Sequence, residues 1–170
     1  MPQYASVSGT ILQINYPENI STQNHCGLQI TLQSTNQGIV NLTLTGSTYV
    51  LNSSLLKVGD LVTCFYSLLA PVPLIYPPLY QALVVAPTPS GTYAALDIFT
   101  WLPSSQQLTN SDNTLRLNHI NQTRALLPNG QPFVGNLSDK LLLVLYRATT
   151  RSIPAQTVPN EIVVFCQEPI

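Results

Sequence analysis

From Gly27 to Thr45 the chain reads GLQITLQSTNQGIVNLTLT, with Leu28, Ile30 and Leu32 alternating before the STNQG interruption and Val40, Leu42 and Leu44 after it. A period of two puts one face of an extended chain into a core and the other into water. Two such runs on either side of a short polar stretch containing glycine read as a hairpin. The same alternation runs through SVSGTILQINY, where Val7, Gly9 and Ile11 make one set and Leu12, Ile14 and Tyr16 a second. LVTCFYSLL and QALVVAP read as two further strands. No window of helical length carries a sustained i, i+3, i+4, i+7 stripe. The nearest approach is a single turn around NSSLLKVGD, with serine as its cap and Gly59 as its stop. The chain is expected to be all-β.

The second constraint is an internal repeat. Residues 48–86 lie over residues 123–165, with Thr48 over Thr123, Asp60 over Asp139, Tyr66 over Tyr146, and ALVVA over EIVVF. Tyr66 precedes Val84 by 18 residues and Tyr146 precedes Val163 by 17. Each half thus closes as strand, tyrosine, proline-bearing segment, Val-Val strand. TYAALDIFTWLP parallels SVSGTILQINYP, and QQLTNSDNTLRLNH is a shorter hairpin than its counterpart. Five strands per half, with a hairpin between the second and third and a turn before the fourth, is the plan of an OB-like barrel. The expected architecture is therefore two tandem five-strand OB-like units, 1–88 and 89–170. A single β-sandwich made from both halves is the alternative.

In this plan APVPLIYPPLY, residues 70–80, is a connection inside a unit rather than a linker between domains, and RSIPAQTVP is its equivalent. Proline fixes φ and removes a donor, so the segment should be extended, stiff and outside the ladders. It has no Pro-x-x-P spacing, which speaks against a docking peptide for that kind of groove.

Composition bounds the function. Apolar residues make up 45% of the 170, charged residues 8%, and the net charge is −1. Ordinary soluble domains carry roughly 25% charged residues. Here Ser, Thr, Asn and Gln supply the polarity. A surface with so few charges resists self-association poorly. It suits a chain that packs against its own copies or works outside the cell, and it argues against a free cytosolic enzyme. MPQYASVSGT lacks the basic start and apolar core of a secretory signal, so an extracellular protein would leave by lysis or another route, or would have lost a leader. No apolar run is long enough to span a membrane.

Chemistry-bearing motifs are missing. There is no Gly-x-Ser-x-Gly, no phosphate-cradling glycine loop and no His-Glu-x-x-His. Asp60 and Asp139 sit beside turns, as capping aspartates do. The reading is non-enzymatic, without cofactor. His25 adjoins Cys26, but the other histidine, His119, is remote, so no metal site is expected. Cys26, Cys64 and Cys166 are too far apart for a Cys-x-x-Cys motif. They are either buried thiols acting as small apolar residues or, in oxidising surroundings, include one available for bonding between chains. Five Asn-x-Ser/Thr triplets, at Asn19, Asn41, Asn52, Asn121 and Asn136, follow from an Asn- and Thr-rich composition.

DLVTCFYSLLAPVPLIYPPLYQALVVAP and NGQPFVGNLSDKLLLVLYRATTRSIPAQTVPNEIVVFC resemble segments of uncharacterised tandem-repeat β proteins of spore-forming Gram-positive bacteria, most specifically in PVPLIYPP and TTRSIPAQT. The resemblance covers most of the chain. It implies a bacterial origin and a spore or cell-surface setting, and it carries over no activity and no site residue.

The expected function is a self-assembling subunit of an extracellular or spore-surface fibre or layer. The uncharged segment MPQYASV, with Tyr4, is expected to add as a strand to a neighbouring sheet. Such head-to-tail contacts propagate, and Cys166, or Cys26 or Cys64, would lock a junction. The alternative is an OB-like module binding a polyanion (nucleic acid) or a glycan through Trp101, Arg124, Arg147 and Arg151. Five of the six basic residues lie in the second half, with Arg116 and Lys140 the other two, but Asp97, Asp112, Asp139, Glu161 and Glu168 balance them. Tyr66 and Tyr146 read as strand tyrosines at a barrel rim.

Overall fold

The computed structural model describes residues 2–16 and 26–167. It is all-β, with helical geometry among the described residues confined to single 3-10 turns at Leu51–Ser53 and Ile120–Gln122. The chain divides into two compact units, Tyr4–Ser90 and Gly91–Glu168, each holding one seven-stranded sheet. The first contains β1 (Tyr4–Asn15), β2 (Gly27–Ser34), β3 (Ile39–Thr45), β4 (Tyr49–Val50), β5 (Leu61–Ser67), β6 (Leu79–Gln81) and β7 (Val84–Pro87). The second contains β8 (Tyr93–Leu102), β9 (Gln107–Thr109), β10 (Leu115–Leu117), β11 (Ala125–Leu126), β12 (Lys140–Tyr146), β13 (Ala155–Thr157) and β14 (Glu161–Phe165).

The strand orders are β4-β7-β5-β1-β2-β3-β6 and β11-β14-β12-β8-β9-β10-β13, identical strand for strand. The same two pairings are parallel in each, β4 with β7 and β3 with β6, matched by β11 with β14 and β10 with β13. Seven strands replace the expected five. The additional ones, β4, β6, β11 and β13, are two or three residues long and too short to show a period.

β1 explains its own two out-of-phase apolar sets. It pairs with β5 along Tyr4–Thr10 and with β2 along Gly9–Asn15, with a bulge between Ile11 and Gln13. One extra residue shifts the alternation by one. Val7 and Ile11 are buried, Leu12 is exposed, and Ile14 returns to the core. At the crossing of the two ladders stands Gly9, where a Cβ would lie 2.2 Å from the Gln33 carbonyl oxygen. Only glycine fits that approach.

Pairing partners fix how the units correspond. Cys64 faces Val7 and Val85, and Val144 faces Ala95 and Ile162. Cys64 therefore matches Val144, Tyr66 matches Tyr146, and Ile11 matches Phe99. Two pairs of hydrogen bonds repeat in this register. Thr48 Oγ1 donates to the Ala82 carbonyl at 2.9 Å and Thr123 Oγ1 to that of Pro159 at 2.8 Å. The Gly59 amide donates to Ile11 at 2.8 Å and that of Asp139 to Phe99 at 2.7 Å.

Two details of the sequence overlay are corrected by this register. Gly59, not Asp60, matches Asp139. Both adopt a left-handed φ, +96° and +62°, which glycine takes freely and aspartate tolerates. Val84 matches Glu161 rather than Val163, so the overlay of ALVVA on EIVVF is displaced by two residues.

Each unit has its own core. Val7, Ile11, Ile30, Leu32, Leu42 and Val85 pack in the first, and Phe99, Leu108, Leu117, Leu142, Ile162 and Val164 in the second. The proline-rich connection leaves the end of β5 and stays outside the ladders until Leu79–Gln81, which pairs in parallel with β3. Its counterpart leaves β12 and returns as β13. Each carries a cis X-Pro bond, Tyr76-Pro77 and Ile153-Pro154, shortly before that edge strand.

Candidate functional site

The β5–β6 connection, residues 68–78, presents Leu68, Leu69, Val72, Leu74, Ile75 and Tyr76 to solvent, with Leu69 82% and Tyr76 80% exposed. Prolines at 71, 73, 77 and 78 deny most of this segment a ladder, and no core side chain of the unit covers it. The equivalent RATTRSIP has Ile153 as its one large apolar residue. The apolar character thus belongs to this loop and not to the architecture. A contiguous apolar surface of this kind marks an interaction site.

The same unit also has a concave feature. The loop begins beside the start of β1, since Tyr4 faces Ser67. Around the other end of β1 lies a cleft of about 500 Å³. Ile14, Leu28, Ile30, Leu44, Val50 and Leu56 line it, Cys26 stands at its mouth, and Leu55 projects from its wall. One unit therefore carries both an apolar projection and an apolar recess.

The expected donor strand is corrected. Tyr4–Val7 already pairs with Ser67–Cys64 inside its own unit, and Val7 is in the core. MPQYASV cannot be lent to a neighbour without dismantling β1. The sheet borders are also short, two residues at β4 and β11 and three at β6 and β13, as in proteins that discourage edge pairing.

The three thiols are free. Cys64 is fully buried, and burial pushes its pKa up to about 12, which withdraws it from bonding between chains. Cys26 and Cys166 are exposed. Asp60 Oδ2 accepts from the Lys57 amide at 2.9 Å, a turn cap, and Asp139 Oδ1 accepts from Thr100 Oγ1 at 2.9 Å. His119 is exposed, while His25 and Asn19 lie outside the described residues. Among the described residues no group of three His, Cys, Asp or Glu side chains could hold a metal ion, and no helix is long and apolar enough to cross a membrane.

The four ligand candidates of the second unit divide. Arg147 and Arg151 follow β12, and Arg124 enters β11 beside the start of β14, which faces Leu145 near the end of β12. All three are exposed and make no side-chain hydrogen bond or ion pair among the described residues. Trp101 lies elsewhere. It is eight residues along β8 from Tyr93, which faces Tyr146, and pairs with Leu108 of β9. Its backbone amide donates to Ser138 Oγ. Arg116 alone behaves as a turn-holding arginine, donating to Asn113 Oδ1 at 3.2 Å and Gln107 Oε1 at 3.4 Å.

Sequence reasoning missed the tyrosine pairing. Tyr66 stacks on Tyr80 with centroids 4.0 Å apart, and Tyr146 on Tyr93 at 5.8 Å. The partners sit on different strands, so no local spacing announces them. No protein-family model matches the chain, and no curated protein matches its sequence.

Proposed function

We propose that the protein is a non-enzymatic, self-assembling subunit of an extracellular or spore-surface fibre or layer. The apolar loop of one copy seats in the apolar cleft of the next. The observation that carries this reading is that one unit holds both an apolar loop and an apolar cleft made from different residues, because a contact of one with the other is heterologous and propagates instead of closing. A net charge of −1 offers little repulsion between copies. The prolines keep the loop stiff, so docking orders little that is not already ordered. The setting rests on the resemblance to proteins of spore-forming bacteria. Each unit is in this reading an OB-like barrel module, supported by a first strand that serves two neighbours.

Magnitudes set the behaviour. Burying an apolar side chain is worth ~1.5–3 kcal/mol, so six part-buried side chains give a gross gain on the order of 10 kcal/mol. Association costs ~4–15 kcal/mol. One junction is therefore weak, and assembly depends on concentration. A disulfide between copies would need two accessible thiols, and Cys26 and Cys166 are the exposed ones.

Sedimentation over a concentration series tests this. The intact chain should form large species. Leu74→Ser with Ile75→Ser in the loop, and Leu55→Asp at the cleft, should each give monomers. Mixing the two variants should give dimers and nothing longer, since one working loop meets one working cleft. Monodisperse intact monomers at high concentration would end the proposal.

A further inference from the structure

The two units fill the end of their interior near Tyr66 and Tyr146 differently. In the first, Val7 and Leu32 are buried and Tyr80 stacks on Tyr66. By the register above, the second has Ala95, Asn110 and Thr157 at those places, each smaller or more polar. Ala95 and Asn110 line a pocket of about 480 Å³, within the usual range for small-molecule sites. On its wall Tyr93 and Tyr146 stack with 28° between planes. Arg147 and Thr149 stand on its rim.

We propose that this pocket binds an acidic sugar unit, a pyranose bearing a carboxylate or a phosphate. Arg147 supplies the anion contact. Its guanidinium has no partner among the described residues, and a charge-assisted pair to carboxylate or phosphate is its strongest one. The tyrosines supply an apolar face. They already stack on each other and do not form a slot, which suits the CH face of a sugar better than a base sandwiched between rings. Burial, and then Tyr93, hold the Tyr146 hydroxyl above the usual phenol range, so it remains a donor at neutral pH. Asn110 takes no direct part. Its side chain is committed to the β9–β10 turn, accepting from the Thr114 and Leu115 amides. The site is independent of the apolar loop and cleft, which lie in the first unit.

Nuclear magnetic resonance of the 15N-labelled full chain tests it, with glucuronic acid, glucose 6-phosphate, glucose and adenosine monophosphate as probes. Either acidic sugar should shift the Tyr93, Arg147 and Thr149 amides saturably, and glucose should bind about tenfold or more weakly. Arg147→Gln should bring the acidic sugar down to the glucose level. Ala155→Phe, which puts a ring into the pocket, should block binding while the rest of the spectrum holds. Absence of saturable shifts at these residues overturns the proposal, as does unchanged affinity in Arg147→Gln. Tighter binding of the nucleotide than of both acidic sugars also overturns it.

Discussion

Tyr66 and Tyr80 lie face to face, ring centroids 4.0 Å apart and planes within 7°. This stack closes the first unit at the end where the proline-rich loop departs. The second unit keeps the strand tyrosine as Tyr146 but has Thr157 in place of Tyr80. Its second ring, Tyr93, comes from the first strand of the unit, where the first unit has Ala5. With the ring moved from the edge strand to the opening strand, the second unit carries a pocket against its tyrosine pair.

Tyr80→Thr should therefore make the first unit resemble the second. A part-exposed aromatic pair is worth about 0.5–1.5 kcal/mol beyond its area, and the lost burial adds to it. A loss of roughly 1–3 kcal/mol is expected in urea unfolding. The Tyr66 hydroxyl, held at about 12 by burial and by Tyr80, should titrate lower in the variant. A spectrophotometric titration unchanged from the parent would contradict this account.

One topological position carries different chemistry in the two units. Gly9 admits the Gln33 carbonyl, and Gly9→Ala should cost about 2 kcal/mol or more through overpacking against backbone. The matching residue is Asp97, buried and accepting from the Ile98 amide at 2.8 Å, the Ser111 amide at 3.0 Å and Ser111 Oγ at 2.7 Å. Asp97→Ala leaves those donors without it and should cost about 1–3 kcal/mol. Two-step unfolding in which Gly9→Ala and Asp97→Ala move the same step would be the wrong result.

Much of the fold could be read from the residues. β1, β2 and β3 follow from alternation, β5 and β7 from short apolar runs, and the phase change at Leu12 marks the bulge. Thr48 with Thr123 and Tyr66 with Tyr146 gave the repeat correctly because polar or ring-bearing residues at fixed places define a register. The Val-Val strands did not. EIVVF is buried at four of five positions, and a run apolar on both faces slides without penalty in a sequence overlay. The candidate site was half legible. PVPLIYPP drew notice for its prolines, but whether its leucines face a core or solvent depends on what packs above them. The cleft is made by side chains from several elements of the unit.

Removing residues 1–7 should unfold the first unit. It deletes the Tyr4, Ala5, Ser6 and Val7 pairings with β5 and takes Val7 out of the core. Loss of the first unit's cooperative transition is expected. A shortened chain that kept this transition and failed only to assemble would restore the terminus as a free donor strand.

Thiol accessibility separates the cysteines. Native protein should react at Cys26 and Cys166 with an aromatic disulfide reagent near pH 8, and Cys64 should react only after denaturation. A Cys26→Ser, Cys166→Ser protein should be silent until unfolded. Prompt labelling of that double variant would contradict the burial of Cys64 at 0% exposure.

The same burial makes stability depend on alkali. An unfolded thiol ionises near 9.0, and Cys64 in the fold near 12. For Tyr66 the values are 10.0 and about 12. Both folded values are raised, so the unfolded chain releases its protons first and gains from doing so. Their contribution is fully present below pH 9, falls as the pH rises, and is gone once pH passes the folded values near 12. Tm should drop steadily from pH 9 upwards. Cys64→Val introduces the side chain that Val144 already has at the matching place, with nearly the same volume and no proton to lose. It should leave Tm at pH 7 within a few degrees, since volume-conserving core changes cost less than about 1.5 kcal/mol. Between pH 9 and 10 its Tm should fall less steeply than the parent's, because the thiol is gone and the tyrosines only begin to ionise as the pH approaches their unfolded value of 10.0. Parallel declines in parent and variant would show that Cys64 has no part in the alkaline transition.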